Sequence, residues 1–250
     1  MARLFDDAAS QHLKIGTAVV TAGPFTMACW FNSDDVTINQ RLMWLGDKDT
    51  TNQAWRLTAA GVVAGDPVRM TAQAGGANTN ADTTTGYSAN TWHHACGVLE
   101  TNASRTVYID GGSSANDTDT RATTLADRTA IGADAGSTID TFMSGRIAEA
   151  AVWNVALTAA EVAVLAKAMC PLFVRPESLV SYWPLVVGVP DPAVDIDVVG
   201  GTGLNVTLAS AGNHCRILRP TGRLLGMESA AAAGQPIAAR LHGVPGSFVR

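Results

Sequence analysis

Short runs of β-branched, aromatic and small apolar residues recur along the first 155 positions, each closed by a cluster of Gly, Asn, Asp, Thr or Pro. This punctuation predicts strands at about residues 11–20, 25–32, 40–46, 54–60, 67–73, 92–99, 105–110, 129–132 and 145–154. The rhythm is that of an all-β chain. Two polar connectors, residues 74–86 and 111–121, carry too little apolar surface to join a core and read as surface loops. The pattern changes once, where the strand Arg146 to Val155 runs into Thr158-Ala-Ala-Glu161. That spacing is a capping box: the Thr158 hydroxyl accepts from the Glu161 amide and the Glu161 carboxylate accepts from the Thr158 amide. A helix carrying Val162, Leu165 and Met169 is expected to follow and to be ended by Pro171. Beyond it, Leu179, Val180, Tyr182 and Trp183 predict that residues 178–185 add a strand, and Leu204 to Leu208 form a short apolar run. Residues 230–250 hold no sustained period and read as an extended arm ordered by a partner.

Phe5-Asp-Asp-Ala-Ala-Ser-Gln-His-Leu13, Phe25-Thr-Met-Ala-Cys-Trp-Phe31, Trp92-His-His-Ala-Cys-Gly-Val98, Val107-Tyr-Ile-Asp-Gly111, Ala130-Ile-Gly132 and the strand-helix unit stand in one order along the chain. Together they resemble the laminin-G-like, concanavalin-A-like jelly-roll family over about residues 4–168. The resemblance implies an all-β, two-sheet antiparallel jelly-roll sandwich with one short helix and an extended C-terminal arm. It divides the chain into a jelly roll at 1–168, an extension at 169–225 that contributes a further strand to the same sandwich, and an arm at 226–250. It implies no activity, because the fold hosts lectins, glycanases, adhesion modules and virion proteins alike. The stretch Arg175-Pro-Glu-Ser-Leu-Val-Ser-Tyr-Trp-Pro-Leu185 resembles laminin-G-like proteins encoded in tailed-phage genomes, which implies a virion component made in the host cytoplasm.

At 250 residues, one large sandwich can bury enough surface to need no metal or disulfide for stability. Hydrophobic content is 47% with 16% charged residues, which suits strands with two covered faces. No apolar run reaches the roughly 18 residues of a membrane span, and acidic residues follow Met1 too soon for an apolar leader, so neither membrane nor signal peptide is expected. Cys29, Cys96, Cys170 and Cys215 lack C-x-x-C spacing, two lie in predicted strands, and buried free thiols are expected. Residues 1–210 hold 12 Lys/Arg against 21 Asp/Glu, a net of −9, whereas 211–250 hold five Arg against Glu228, a net of +4. An acidic body argues against nucleic-acid binding, since phosphate contacts supply most of that affinity. The basic end, with Arg216, Arg219, Arg223, Arg240, Leu241, Phe248 and Arg250, is the candidate partner-binding segment for capsid or fibre subunits, in a homo-oligomer or a lattice.

Candidate chemistry is sparse. Family glucanases pair carboxylates as Glu-x-Asp-x-x-Glu on one strand, and none of Glu100, Glu149, Glu161, Glu177 and Glu228 lies in that motif. Asp195 and Asp197 are the nearest pair, in a Pro/Gly-rich setting without the third acid. His93 and His94 are adjacent strand residues, so they point to opposite faces and do not chelate one ion. No Gly-x-Ser-x-Gly elbow and no phosphate loop is present. The chain is therefore expected not to be an enzyme. No cofactor is required. Calcium alone is kept open, at Asn116, Asp117 and Asp119 and at Asp134 with Asp140, which offer hard oxygen ligands at loop spacing. The six tryptophans read as core residues, with a sugar-stacking role for any exposed on a concave face. Two functions follow: a virion structural module, such as capsid decoration or a head or tail fibre part, and alternatively a carbohydrate-binding or host-adhesion module that takes surface glycans on the rim loops.

Overall fold

The structure, a computed structural model, describes residues 2–185, 194–195, 199, 204–207 and 210–212. The chain divides into a unit of residues 1–219 and a C-terminal unit of residues 220–250, and every described residue belongs to the first. Its strands are β1 (Ala2–Phe5), β2 (His12–Ile15), β3 (Phe25–Ser33), β4 (Asn39–Gly46), β5 (Ala54–Ala60), β6 (Pro67–Ala74), β7 (Ala77–Gly86), β8 (Trp92–Thr101) and β9 (Ser104–Ile109). They continue with β10 (Gly112–Asp117), β11 (Arg128–Ile131), β12 (Asp134–Ala135), β13 (Ile139–Asp140), β14 (Gly145–Trp153), β15 (Leu179–Trp183), β16 (Val194–Asp195), β17 (Leu204–Thr207) and β18 (Ser210–Gly212). The helix α1 spans Ala159–Leu165.

Two antiparallel sheets of eight strands each make the sandwich. The first runs β10-β9-β8-β3-β14-β1-β18, with β15 also on β14; the second runs β16-β17-β2-β11-β4-β5-β6-β7. β1 pairs with Gly145 to Ile147 and β15 with Ala150 to Trp153, so the two short strands share one edge of β14. The strand expected at 178–185 is thus part of the first sheet.

Alternation sorts the side chains. Phe25, Met27, Cys29 and Phe31 of β3 meet Trp55, Leu57 and Ala59 of β5 and Val68, Met70 and Ala72 of β6 in one core between the sheets. Gly97 belongs to this packing, because a Cβ there would lie 2.7 Å from the Met70 sulfur. On β14 the alternation changes phase: Ile147 faces the core, and so do Ala150 and Val152. A bulge between Ala148 and Ala151 absorbs the extra residue, with Glu149 at φ +52°. Glu149 is buried, and its carboxylate accepts from the buried Tyr182 hydroxyl.

The outer face of the first sheet carries its own apolar layer. Ala28, Cys96, Val98, Ala151 and Trp153 pack under Leu157, Val162, Leu165, Cys170 and Val174, which belong to α1 and the segments on either side of it. The Trp153 indole donates to the Val174 carbonyl at 2.7 Å. Both bonds of the capping box are present, with Thr158 Oγ1 accepting from the Glu161 amide and Glu161 Oε2 from the Thr158 amide. Cys29, Cys96 and Cys170 are buried free thiols; Cys215 lies outside the described residues. No helix among the described residues is long and apolar enough to cross a membrane.

Four expectations need correction. The polar connectors at 74–86 and 111–121 contain strands, β7 and β10. On β7, Thr79, Ala81 and Thr83 turn inward while Asn78 and Asn80 face solvent, so an edge strand with little apolar surface is held by its ladder to β6. The strand at 11–20 shortens to His12–Ile15; beyond it Val19 instead donates its amide to Thr129 Oγ1. The helix ends at Leu165, where a turn through Ala168 at φ +64° stops it, and Pro171 opens a separate 3-10 turn.

Arg105 closes the edge where β9 and β10 meet β6 and β7. It occupies an inward position on β9 in line with Val107 and Ile109 and is fully buried. Its guanidinium donates to Thr79 Oγ1, Asp117 Oδ2 and the carbonyls of Asn102 and Asp119. Removing one member of a buried pair leaves the other uncompensated. Arg105→Ala is expected to lower the unfolding free energy by about 3 kcal/mol, read from the urea midpoint at unchanged slope. Thr158→Ala is expected to cost about 1 kcal/mol in the same assay, through loss of the N-cap.

Candidate functional site

The two sheets differ in what covers them. The outer face of β4, β5, β6 and β7 is polar, and its side chains line up in rows across the strands. One row is Arg41, Thr58, Arg69 and Asp82; the next is Trp44, Arg56, Thr71 and Asn80. Four strands at this spacing make a surface about 14 Å wide. Sequence dictates this locally: residues alternating with Leu57, Ala59, Val68 and Met70 must face outward, and here they are Arg and Thr.

The short hairpin of β12 and β13 lies over part of this face. Asp134 on β12 ties it down, accepting from Arg41 Nε at 2.6 Å and Nη2 at 2.7 Å and from Arg56 Nε at 3.3 Å. Arg41 also donates to Thr58 Oγ1, and Arg128 donates to the Ala135 carbonyl at 2.7 Å. Burial pushes the Arg56 guanidinium below its ordinary value against the pull of Asp134, which marks a desolvated cation. Further along, Arg69 makes a bidentate pair with Asp82 at 2.5 and 2.7 Å, and that bond holds its guanidinium above the usual value. Thr71 Oγ1 donates to Asn80 Oδ1 at 2.7 Å.

Between these groups lies a depression of about 110 Å³ lined by Asn39, Arg41, Arg56, Thr58, Arg69, Thr71, Asn78 and Asn80. A second cavity of about 70 Å³, under the hairpin, is lined by Trp44, Thr51, Arg56, Asp134, Gly136, Thr138 and Asp140. Arg56 borders both. Such a surface offers planar donors, amides and hydroxyls in fixed positions without a free nucleophile. It suits recognition of a polar, hydroxyl-rich molecule. A wider cleft of about 540 Å³ opens at one rim, among Thr21 to Pro24, Glu100 to Asn102 and Thr123 to Leu125, with Leu125 exposed.

The calcium candidates fall in two places. Asn116 donates its amide to Ser104 Oγ, the Arg105 carbonyl and Thr106 Oγ1, while Asp117 and the Asp119 carbonyl hold Arg105. Asp134 and Asp140 are cross-strand partners on the hairpin, and Asp134 is occupied by Arg41 and Arg56. Guanidinium groups thus stand where a cation would be drawn. The tertiary structure also assembles a trio the sequence did not reveal, Asp47, Asp49 and Asp127, with carboxylate oxygens within 4.8 Å of one another. Asp127 is distant in sequence from the other two, so spacing gave no signal. Lys48 already bridges it, with Nζ 2.8 Å from Asp49 and 2.6 Å from Asp127. The partner-binding candidates Arg216, Arg219, Arg223, Arg240, Leu241, Phe248 and Arg250 lie outside the described residues, as does Asp197.

His93 and His94 point to opposite faces. His93 reaches Phe31 and accepts the Ser88 amide at 3.1 Å, with Nδ1 2.8 Å from Asp110. His94 packs edge-on to Trp30, fully enclosed on the other side. Trp55, Trp153 and Trp183 are buried in the two large apolar clusters, whereas Trp44 is buried on the outer face of the second sheet with Ala54, Ala130 and Ala135.

A family model described as the concanavalin A-like lectin/glucanases superfamily matches residues 7–163. No curated protein matches the chain by sequence. Among solved structures, a Bacteroides ovatus protein provisionally described as carbohydrate binding superposes with a TM-score of 0.58 at 18% identity, over 84% of this chain and 58% of that one. The enzymatically active domain of tailspike protein 2 from bacteriophage CBA120 gives 0.55 at 17% identity, over 74% of this chain and 30% of that one. Domain 4 of an extracellular arabinanase from Geobacillus stearothermophilus, in complex with arabinotriose, gives 0.52 at 21% identity, over 61% and 71%. At these identities the likeness shows the fold alone. The chain spans little more than half of the Bacteroides protein and less than a third of the tailspike domain.

Burial lowers the His94 pKa from 6.5 to about 4, and His12 is lowered in the same direction, chiefly by burial. The folded state therefore holds both rings neutral where the unfolded chain takes up protons. The stability His94 contributes is full above pH 6.5 and is lost as pH falls toward 4, and His12 acts in the same direction. Urea midpoints at pH 7.5 and pH 5 should show a drop, with a slope for His94 approaching about 1.4 kcal/mol per pH unit within that window. His94→Gln should flatten it.

Proposed function

We propose that this protein, which belongs to the concanavalin A-like lectin/glucanase superfamily, is a carbohydrate-binding module that takes its ligand on the outer face of β4 to β7. The observation that carries the reading is the contrast between the two sheets. One outer face is sealed by apolar residues, and the other presents Arg, Asn and Thr side chains around a depression of about 110 Å³. Sugars are recognised by fixed planar donors and acceptors of this kind, held rigid by neighbours. The Asp134 and Asp82 clamps supply that rigidity to Arg41, Arg56 and Arg69. The superposition on the Bacteroides ovatus protein supports the same reading at the level of the fold.

Binding without hydrolysis fits the carboxylates of this face, because Asp82 and Asp134 each already hold guanidinium groups. For the setting, we infer a particle-bound adhesion module, with capsid or fibre subunits as neighbours. Support for it is the fold shared with the bacteriophage CBA120 tailspike domain and the phage-like segment at 175–185.

A glycan array probed with the full chain should show saturable binding to one class of oligosaccharide, independent of added calcium. Asn78→Ala with Asn80→Ala, both exposed on β7, should weaken that binding at least fivefold while leaving the urea midpoint unchanged. Retention of full affinity would move the site to the rim cleft at Thr21 to Pro24 and Thr123 to Leu125.

A further inference from the structure

We propose that the cavity of about 70 Å³ beneath the β12–β13 hairpin receives the hydroxymethyl arm of a hexose, with the Trp44 indole N–H as its donor. The inference rests on the carbohydrate-binding reading and specifies it. Trp44 is 1% exposed, and its Nε1 is buried with no hydrogen-bond partner among the described residues. A buried donor left unpaired is costly, so a water or ligand oxygen that accepts from it would be stabilising. Trp44 is one of the residues lining the cavity, and its benzene edge lies against Gly46, where a Cβ would lie 2.5 Å from Cζ2.

Size and charge define the guest. At about 70 Å³ the cavity suits a small polar arm better than a whole sugar ring, and a hydroxymethyl group is such an arm. Its oxygen would accept from Trp44 and donate to the Asp140 carboxylate or the hydroxyls of Thr51 and Thr138. Asp134 and Asp140 balance Arg41 and Arg56, so the cavity favours a neutral group, and a sugar carboxylate would sit beside Asp140 unpaired. Arg56 borders both cavities, so a ring whose arm enters beneath the hairpin lies in the neighbouring depression.

The test is an NMR titration of the full chain labelled with nitrogen-15, following the Trp44 indole N–H resonance, assigned by its loss in Trp44→Phe. The probes are methyl β-glucoside against methyl β-xyloside and methyl β-galactoside against its 6-deoxy counterpart, pairs that differ only in the arm or its hydroxyl. At least one hexoside should shift the Trp44 resonance saturably, and its partner lacking the hydroxyl should bind at least fivefold more weakly without that shift. Trp44→Phe should lower affinity for the hexoside about fivefold and leave the partner unchanged. Should that variant fail to fold, the paired glycosides on the unaltered chain decide. Equal binding within both pairs, with Asn78 and Asn80 resonances moving and Trp44 still, would overturn the inference, leave the binding face intact and assign bound water only to the cavity. No movement anywhere on the face with any probe would overturn both.

Discussion

A strand has two faces, and this chain supplies a second layer for only one of its two sheets. The segment from Leu157 to Val174 seals the outer side of β3, β8 and β14 with Val162, Leu165 and Cys170. Nothing comparable covers β4 to β7 among the described residues, so their outward positions must be hydrophilic. From that imbalance follow the polar rows on the second sheet and the depression they line. The shared core between the sheets, from Phe25 and Phe31 to Trp55 and Met70, then holds the open face rigid from behind.

Charge on the open face is organised rather than merely solvated. Asp134 draws together two guanidinium groups that would otherwise repel, and Asp82 orients a third. Paired in this way, Arg41, Arg56 and Arg69 lose rotamer freedom before any ligand arrives, which reduces the ordering cost of binding. Arg105 uses the same chemistry for a different end. It sits at an inward position, fully buried, and its contacts to Thr79 and Asp117 join the edges of the two sheets. Of the acids read as calcium candidates, Asp117 and Asp134 hold guanidinium groups through their carboxylates.

The bulge at Glu149 shows how a local irregularity serves the global layers. With strict alternation, Ile147 and Val152 could not both face the core. One extra residue at positive φ changes the phase and aims a carboxylate at the Tyr182 hydroxyl under the outer layer. Glu149 is thus a structural acid, buried beside β15.

Local patterns in the sequence determined most strands, the capping box at Thr158 and Glu161, the addition of residues 179–183 to the sandwich and the opposite directions of His93 and His94. These depend on neighbours within a few positions, where period and cap chemistry leave little freedom. The family resemblance added the sandwich itself. Edge strands β7 and β10 escaped because their polar composition matches that of loops, and ladders to β6 and β9 together with the buried Arg105 hold them extended. The candidate site was illegible for a related reason. Arg41 and Trp44 on β4, Arg56 on β5 and Asp134 on β12 lie on three separate segments, and nothing near any of them along the chain marks it as part of a site. Pairing of β4, β5 and β11, and the fold of one short hairpin across them, brought those side chains together; tertiary structure alone decided which face stayed open.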